Sequence, residues 1–137
     1  MKILIYEGIS GSGKTSLISN IKSIDNYEYI QIHRFTPTQW VYDHVYNRRD
    51  INYEFLNKGI QLLVPTYVIW CDCDEEIALK RQQQKMENDK TEPLLLARKY
   101  YHEYFSTISS FKKVLYLDTG KLTIWDEIEK IKEFLKS

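Results

Sequence analysis

The chain has 137 residues, and its 19 Lys and Arg residues balance its 19 Asp and Glu residues. This length favours a single domain with a buried core. The zero net charge excludes a strong overall field toward nucleic acid or an anionic membrane, and no apolar run approaches the ~20 residues of a membrane helix.

A strand, a glycine-rich turn and a helix are predicted in succession at the start of the chain. The apolar run at residues 3–5 is typical of a strand that is buried on both faces. Apolar residues at helical spacing then predict a helix that begins near Lys14 and ends around residues 23–25. A second strand is predicted over residues 27–33.

The next helix has a recognisable start in the sequence. Thr36 is predicted to cap it, Pro37 suits its first position, and Gln39 completes a capping box. The helix is expected to finish near Arg48 and Arg49, where cations favour the C-terminal dipole.

Three further elements are predicted in the middle of the chain. A short helix is expected over residues 52–58, with Gly59 as its stop, and a third strand over residues 66–71. Asp74 is predicted to cap the following helix. Because that helix has almost no apolar stripe beyond Leu79, it indicates either a solvated face or a lid at about residues 80–92.

The remaining chain predicts a helix over residues 94–105, a fourth strand over residues 114–117 and a terminal amphipathic helix capped by Thr123. Strands and helices therefore alternate, which predicts an α/β fold: a P-loop three-layer sandwich with a short parallel sheet flanked by helices, as one domain over residues 1–137. The aromatic residues expected in its core are Tyr100, Tyr101, Tyr104 and Trp125.

Residues 8–15 read G-I-S-G-S-G-K-T, which matches the phosphate-binding loop pattern, and they lie between a strand and a helix as that loop requires. Glycines let backbone N–H groups converge on phosphate oxygens. Lys14 would reach the β- and γ-phosphates of ATP, and the Thr15 hydroxyl would bind Mg²⁺. The predicted ATP-binding residues are Gly8, Ile9, Ser10, Gly11, Ser12, Gly13, Lys14, Thr15 and Ser16.

Cys71 and Cys73 are the only cysteines. No second pair completes a zinc site, so both are expected to pack in the core. The absence of a signal-like N-terminus and of a disulfide framework favours a cytoplasmic protein.

Several segments resemble the thymidylate kinase and deoxynucleoside kinase group, and in particular its compact, phage-type members. The resemblance rests on Glu7 directly before the phosphate loop, on His33-Arg34 after the second strand, and on the third strand with its following helix and Arg81. The resemblance spans nearly the whole chain, although only the loop is a specific motif. It implies an ATP-dependent phosphotransferase that acts on a nucleoside or a nucleotide.

The resemblance also implies roles for individual residues. Glu7 would act as a general base on a hydroxyl acceptor or position a phosphate acceptor. Lys14, Arg34 and Arg81 would complete the catalytic set by clamping phosphates, with Lys85 as a further lid cation. Arg48 and Arg49 would bind acceptor phosphate. Asp72, at the end of an apolar strand, is expected to have a structural role.

Two departures keep other functions open. His33 stands where the group usually has a carboxylate, and the segment between the first helix and Arg34 is short. The alternatives are a kinase of another small molecule or of a polynucleotide end, which the neutral charge disfavours, and a nucleotide-binding module without an acceptor pocket. The oligomeric state is open, a homodimer included.

Overall fold

A computed structural model describes residues 1–9, 11–21, 29–84 and 93–137. The strands are β1 (Lys2–Glu7), β2 (Tyr29–His33), β3 (Thr66–Asp72) and β4 (Val114–Asp118). The α-helices of the described part are α1 (Lys14–Asn20), α2 (Thr36–Val45), α3 (Tyr53–Leu63), α4 (Glu75–Gln84), α5 (Leu94–Glu103) and α6 (Ile124–Leu135). A π-helical turn, Tyr104–Ile108, continues α5.

The four strands form one parallel sheet in the order β2-β1-β3-β4. All seven residues of β3 are buried, because this central strand is covered on both faces. Its residues alternate: Ile69 and Cys71 pack with α1 and α6, whereas Trp70 packs with α2 and α5. The predicted α/β class, with helices on both faces of a parallel sheet, is confirmed.

The carboxyl ends of the strands meet at one edge of the sheet. Glu7 pairs in register with Trp70, and Asp72 pairs with Asp118. The loops that follow β1, β3 and β4 therefore gather on the same side of the molecule. In open α/β sheets this is the edge at which ligands bind.

The predicted capping box at the start of α2 is wrong. Phe35 takes the N-cap position, and no side chain caps the helix. The Thr36 hydroxyl instead donates to the side-chain oxygen Oδ1 of Asn57 at 2.7 Å, and both residues are buried. The hydroxyl that was predicted to cap α2 therefore forms a tertiary contact with α3.

Two helix ends also differ from the prediction. α2 ends at Val45, earlier than the predicted Arg48 and Arg49, and the left-handed backbone of Asn47 (φ 52°) follows. α3 continues through Gly59, so the predicted stop is wrong. A glycine stops a helix only where the chain turns away, and here the helical hydrogen bonds run on to Val64.

The cap of α6 is confirmed: Thr123 and Asp126 form a reciprocal capping box. Tyr101 and Tyr104 are buried as predicted, and Tyr100 lies half-buried beside them. The prediction for Trp125 is wrong, since it is 74% exposed. The buried stripe of α6 consists of Ile128, Ile131 and Leu135 with Glu127, and Trp125 lies off that stripe.

Parts of three predictions lie outside the described residues: the end of the first helix, the beginning of the second strand, and residues 85–92 of the lid, with Lys85. Within the described part, no helix is long and apolar enough to span a membrane.

Candidate active site

The loop between β1 and α1 has the backbone of a phosphate cradle. Gly8 and Gly13 have φ values of 141° and 88°, in the region that side chains disfavour. A Cβ at Gly8 would lie 2.1 Å from the Cys71 carbonyl oxygen, so only glycine lets the loop approach β3 this closely. Ser10 lies outside the described residues.

Lys14, the first residue of α1, folds over this loop. Its ammonium donates to the carbonyl oxygens of Gly8 at 2.6 Å and Ile9 at 3.0 Å, and the side chain is buried. Thr15 and Ser16 follow on the exposed first turn of α1. The first turn of α1 thus carries an ammonium and two hydroxyls beside the helix N-terminus, which are the groups that bind a polyphosphate.

A cleft of about 660 Å³ lies in front of the loop. Its volume is within the range of ordinary small-molecule sites. The predicted residues that the structure brings together there are Gly11, Ser12, Gly13, Lys14, Thr15, Ser16, Arg34 and Arg81, with His33 beside them. Of the other predicted site residues described, Glu7, Gly8 and Ile9 are buried and do not line it.

Arg81 ties α4 to two loops of the cleft. One guanidinium nitrogen donates to the Gly11 carbonyl at 3.1 Å and to the Thr119 hydroxyl at 3.0 Å, and the other donates to the Thr119 carbonyl at 3.0 Å. The Thr119 hydroxyl in turn donates to the Ser12 carbonyl at 2.5 Å. Arg81 is therefore fixed against the phosphate loop.

Thr119 and the α6 residues of the cleft were not predicted from the sequence. Thr119 follows the last residue of β4, and that strand-end position was the available signal. The other lining residues not predicted as part of the site are Ile18, Leu122, Ile124 and Glu127.

Arg34 lies between two pockets. It lines the large cleft and also a smaller pocket of about 250 Å³. Its backbone is left-handed (φ 64°), while its N–H donates to the Tyr6 carbonyl at 2.9 Å. A non-glycine residue in this conformation costs about 1–3 kcal/mol, and such strain is found most often at functional sites.

The smaller pocket combines cations with aromatic rings. Arg48 lines it, and its guanidinium lies 5.1 Å from the centre of the Tyr46 ring. Arg49 is exposed and does not line this pocket. The other lining residues are Arg34, Thr38, Gln39, Tyr42 and Tyr46.

Glu7 is fully buried below the beginning of α2. Its carboxylate accepts hydrogen bonds from the Phe35 N–H and from the Thr38 hydroxyl, and the latter also bonds to the Tyr101 hydroxyl at 2.8 Å. Burial raises the pKa of Glu7 to about 7, against the effects of these hydrogen bonds and of Lys14. Its predicted catalytic role stays a prediction, while its contacts anchor α2 to β1.

Glu7→Gln is expected to flatten the dependence of stability on pH. The folded state holds the proton above the ordinary pKa of 4.5, at which the unfolded state releases it, so wild-type stability falls between pH 4.5 and 7. The amide cannot ionise, and it can accept from Phe35 and donate to Thr38. Between pH 4.5 and pH 8, the difference in unfolding free energy between the variant and wild type should change by about 3 kcal/mol in favour of the variant.

Urea unfolding at both pH values measures these free energies. Glu103→Gln, on an exposed residue, is the control, and equal pH slopes in all three proteins would contradict the expectation.

Asp72 is held by structural contacts. Its carboxylate accepts hydrogen bonds from Nε and Nη2 of Arg98, each at 3.1 Å, and from the Tyr116 hydroxyl at 2.8 Å. It also lies 2.9 Å from Nε2 of His102. Cys71 and Cys73 are buried, and burial raises the pKa of both thiols. These residues hold β3 against its neighbours and lie away from the cleft lining.

Comparisons with known proteins agree with this architecture. No protein-family model and no curated protein matches the chain. Among solved structures, YorR of Bacillus subtilis, in complex with phosphorylated GDP, is 14% identical, with a TM-score of 0.76 over 98% of this chain and 96% of that one. Deoxyadenosine kinase of M. mycoides with bound dCTP is 19% identical, with a TM-score of 0.69 over 99% of both chains.

The same deoxyadenosine kinase with the products dCMP and dCDP gives a TM-score of 0.62 at 18% identity over 99% of both chains. The chain therefore shares its fold with these structures, and the P-loop α/β fold that the resemblance in the sequence implied is confirmed. At these identities the likeness shows the fold.

Proposed function

We propose that this protein is a kinase that transfers the γ-phosphoryl group of ATP to a nucleoside or nucleotide. The observation that carries the proposal is the position of Arg34, which lines both the phosphate-loop cleft and the smaller pocket. Two substrate pockets that meet at one guanidinium suit a transfer between two bound molecules. The nucleotides bound to the structurally similar proteins are consistent with these ligands.

The donor side would hold the triphosphate. The loop N–H groups and Lys14 would bind the β- and γ-phosphates, and Arg81 would add positive charge beside Gly11. Together with Arg34, these groups would stabilise the charge of the transferring phosphoryl group. Catalysis would therefore rest on positioning and electrostatics.

Mg²⁺ is the proposed cofactor. The exposed Thr15 hydroxyl on the first turn of α1 fits a Mg²⁺ site that takes its other ligands from phosphates and water. The ion would neutralise phosphate charge and polarise the phosphoryl group.

The acceptor side favours a nucleoside monophosphate over a nucleoside. Arg34 and Arg48 offer two guanidinium groups, which suit the planar, bidentate recognition of phosphate. Tyr42 and Tyr46 offer rings beside them, which suit a nucleobase. A phosphate acceptor needs no general base, and Glu7 is enclosed by Phe35 and Thr38.

Residues at about 80–92 are proposed as the lid of this single domain. Arg81 already bonds to Gly11 of the phosphate loop and to Thr119 of the loop after β4. A lid anchored there would exclude water from the reacting phosphates, which limits ATP hydrolysis.

Mass spectrometry of the products tests the function. The protein is incubated with ATP, Mg²⁺ and pooled nucleosides and nucleoside monophosphates, and the phosphorylated species are identified. The expected product is a nucleoside diphosphate. A nucleoside monophosphate formed from a nucleoside would overturn the acceptor preference. Tight ATP binding without any product across the whole panel would favour a binding module.

A further inference from the structure

Glu127 is a buried acid inside the large cleft. It lies in the first turn of α6, where its backbone N–H donates to the Thr123 carbonyl at 3.0 Å. The residue is 4% exposed and lines the cleft. Its neighbours in the sequence, Asp126 and Ile128, point respectively to solvent and into the core.

The carboxyl group of Glu127 makes no hydrogen bond with the residues that the structure describes. The charged groups that act on it are Arg81 from α4, which attracts it, and Asp126 from its own helix, which repels it. Burial, with a smaller contribution from Asp126 in the same direction, outweighs the effect of Arg81 and raises the pKa of Glu127 to about 7. Because the carboxyl group lines the cleft and receives no hydrogen bond from the described residues, it is suited to a hydrogen-bonding ligand in the cleft.

The cleft that Glu127 lines combines apolar and charged groups. Ile18 of α1, Leu122 of the loop after β4 and Ile124 of α6 are apolar lining residues. Its lysine and arginine side chains are Lys14, Arg34 and Arg81, and Arg81 is the one that attracts Glu127. A nucleotide combines the same two kinds of group, since its phosphates are charged and its base is flat and apolar with polar edges.

We propose that Glu127 recognises the hydrogen-bonding edge of a purine base in the donor nucleotide and sets the preference between guanine and adenine. This inference rests on the proposed donor site, where Glu127 would form hydrogen bonds with the base of the donor nucleotide. An ionised carboxylate accepts two hydrogen bonds and matches the adjacent N1–H and N2–H of guanine. A protonated carboxyl donates one and accepts one, which matches N1 and N6–H of adenine.

Glu127→Gln separates the two bases. The amide keeps the shape of the side chain but has one donor and one acceptor, so it fits adenine and places an N–H against an N–H of guanine. At pH 8, where the wild-type carboxyl group is ionised, the ratio of GTP affinity to ATP affinity should fall by about tenfold or more in the variant, the effect of losing one to two hydrogen bonds. Inorganic tripolyphosphate with Mg²⁺ has no base, so its affinity reports only the loss of the carboxylate charge, which acts on GTP and ATP alike and cancels in their ratio.

Isothermal titration of the whole protein with GTP, ATP and tripolyphosphate, each with Mg²⁺, measures these affinities. Glu133→Gln, the same change at an exposed position of α6, is the matched control, and thermal unfolding verifies the fold of each variant. A fall in the GTP-to-ATP ratio in Glu127→Gln alone supports the proposal. An unchanged ratio with intact tripolyphosphate binding overturns the proposal and leaves the donor site standing. Failure of wild type to bind tripolyphosphate and both nucleotides would overturn the donor site itself, and the proposal with it.

Discussion

Lys14→Ala is expected to lower phosphoryl transfer by about 10³-fold or more and to weaken ATP–Mg²⁺ binding. Among the residues that the structure describes, Lys14 is the only lysine that lines the large cleft, and its ammonium is held against the loop by the Gly8 and Ile9 carbonyls. Removal of one preorganised donor from a reacting centre costs about 10²–10³-fold, and here a full charge is lost with it.

The fold should tolerate this change. Lys14 begins α1 with its ammonium at the cleft, while Leu17 and Ile21 bury the apolar face of that segment. Circular dichroism and urea unfolding report the fold, and titration with an ATP analogue reports binding. Lys130→Ala, at an exposed position of α6, is the matched control. Wild-type ATP affinity in the Lys14 variant would show that this loop does not bind the triphosphate.

The elements that the sequence predicted well are those with a local physical signature. The apolar run of β3, the glycine loop with Lys14 and the Thr123 cap each depend on residues within a few positions of one another. Strand periodicity, glycine backbone freedom and capping act over the same short distance. The phosphate loop could therefore be recognised before any tertiary contact was known.

The elements that the sequence did not predict depend on distant contacts. α3 passes Gly59 because Gln61, beyond it, donates to the Ser110 carbonyl at 3.1 Å and accepts from the Lys112 N–H at 2.9 Å. These contacts offset the cost of about 1 kcal/mol for a glycine inside a helix. No pattern near residue 59 shows them.

The cleft residues from the last part of the chain are a second such case. Thr119 bonds to the Ser12 carbonyl across 107 positions of the chain, and Glu127 reaches the cleft only because α6 packs beside α1. A threonine after a strand and an acid in a first helical turn are common in any protein. Their functional candidacy comes from burial and from the cleft, which only the fold reveals.

Arg34→Ala is expected to lower kcat/KM by about 10³-fold, the lower end of what an arginine on a transferring phosphoryl group contributes. Because Arg34 lines both pockets, kcat should fall and KM for the acceptor should rise, whereas ATP affinity should change less than in the Lys14 variant. Initial-rate kinetics with the acceptor identified by mass spectrometry measure both constants. Arg49→Ala, which removes an exposed arginine outside the smaller pocket, should retain full activity.

Arg34→Gly distinguishes the effect of losing the guanidinium from the effect of the strained backbone at this position. Glycine accepts the φ of 64° without strain, so this variant should be more stable than Arg34→Ala by about 1 kcal/mol. Both variants lack the guanidinium, and they should therefore be equally poor kinases despite their different stabilities. If Arg34→Gly recovered activity in proportion to its stability, the role of Arg34 would be to shape the turn between β2 and α2. Equal loss of activity in both variants would instead indicate that the positive charge of Arg34 acts on the phosphoryl group as it is transferred between the two pockets.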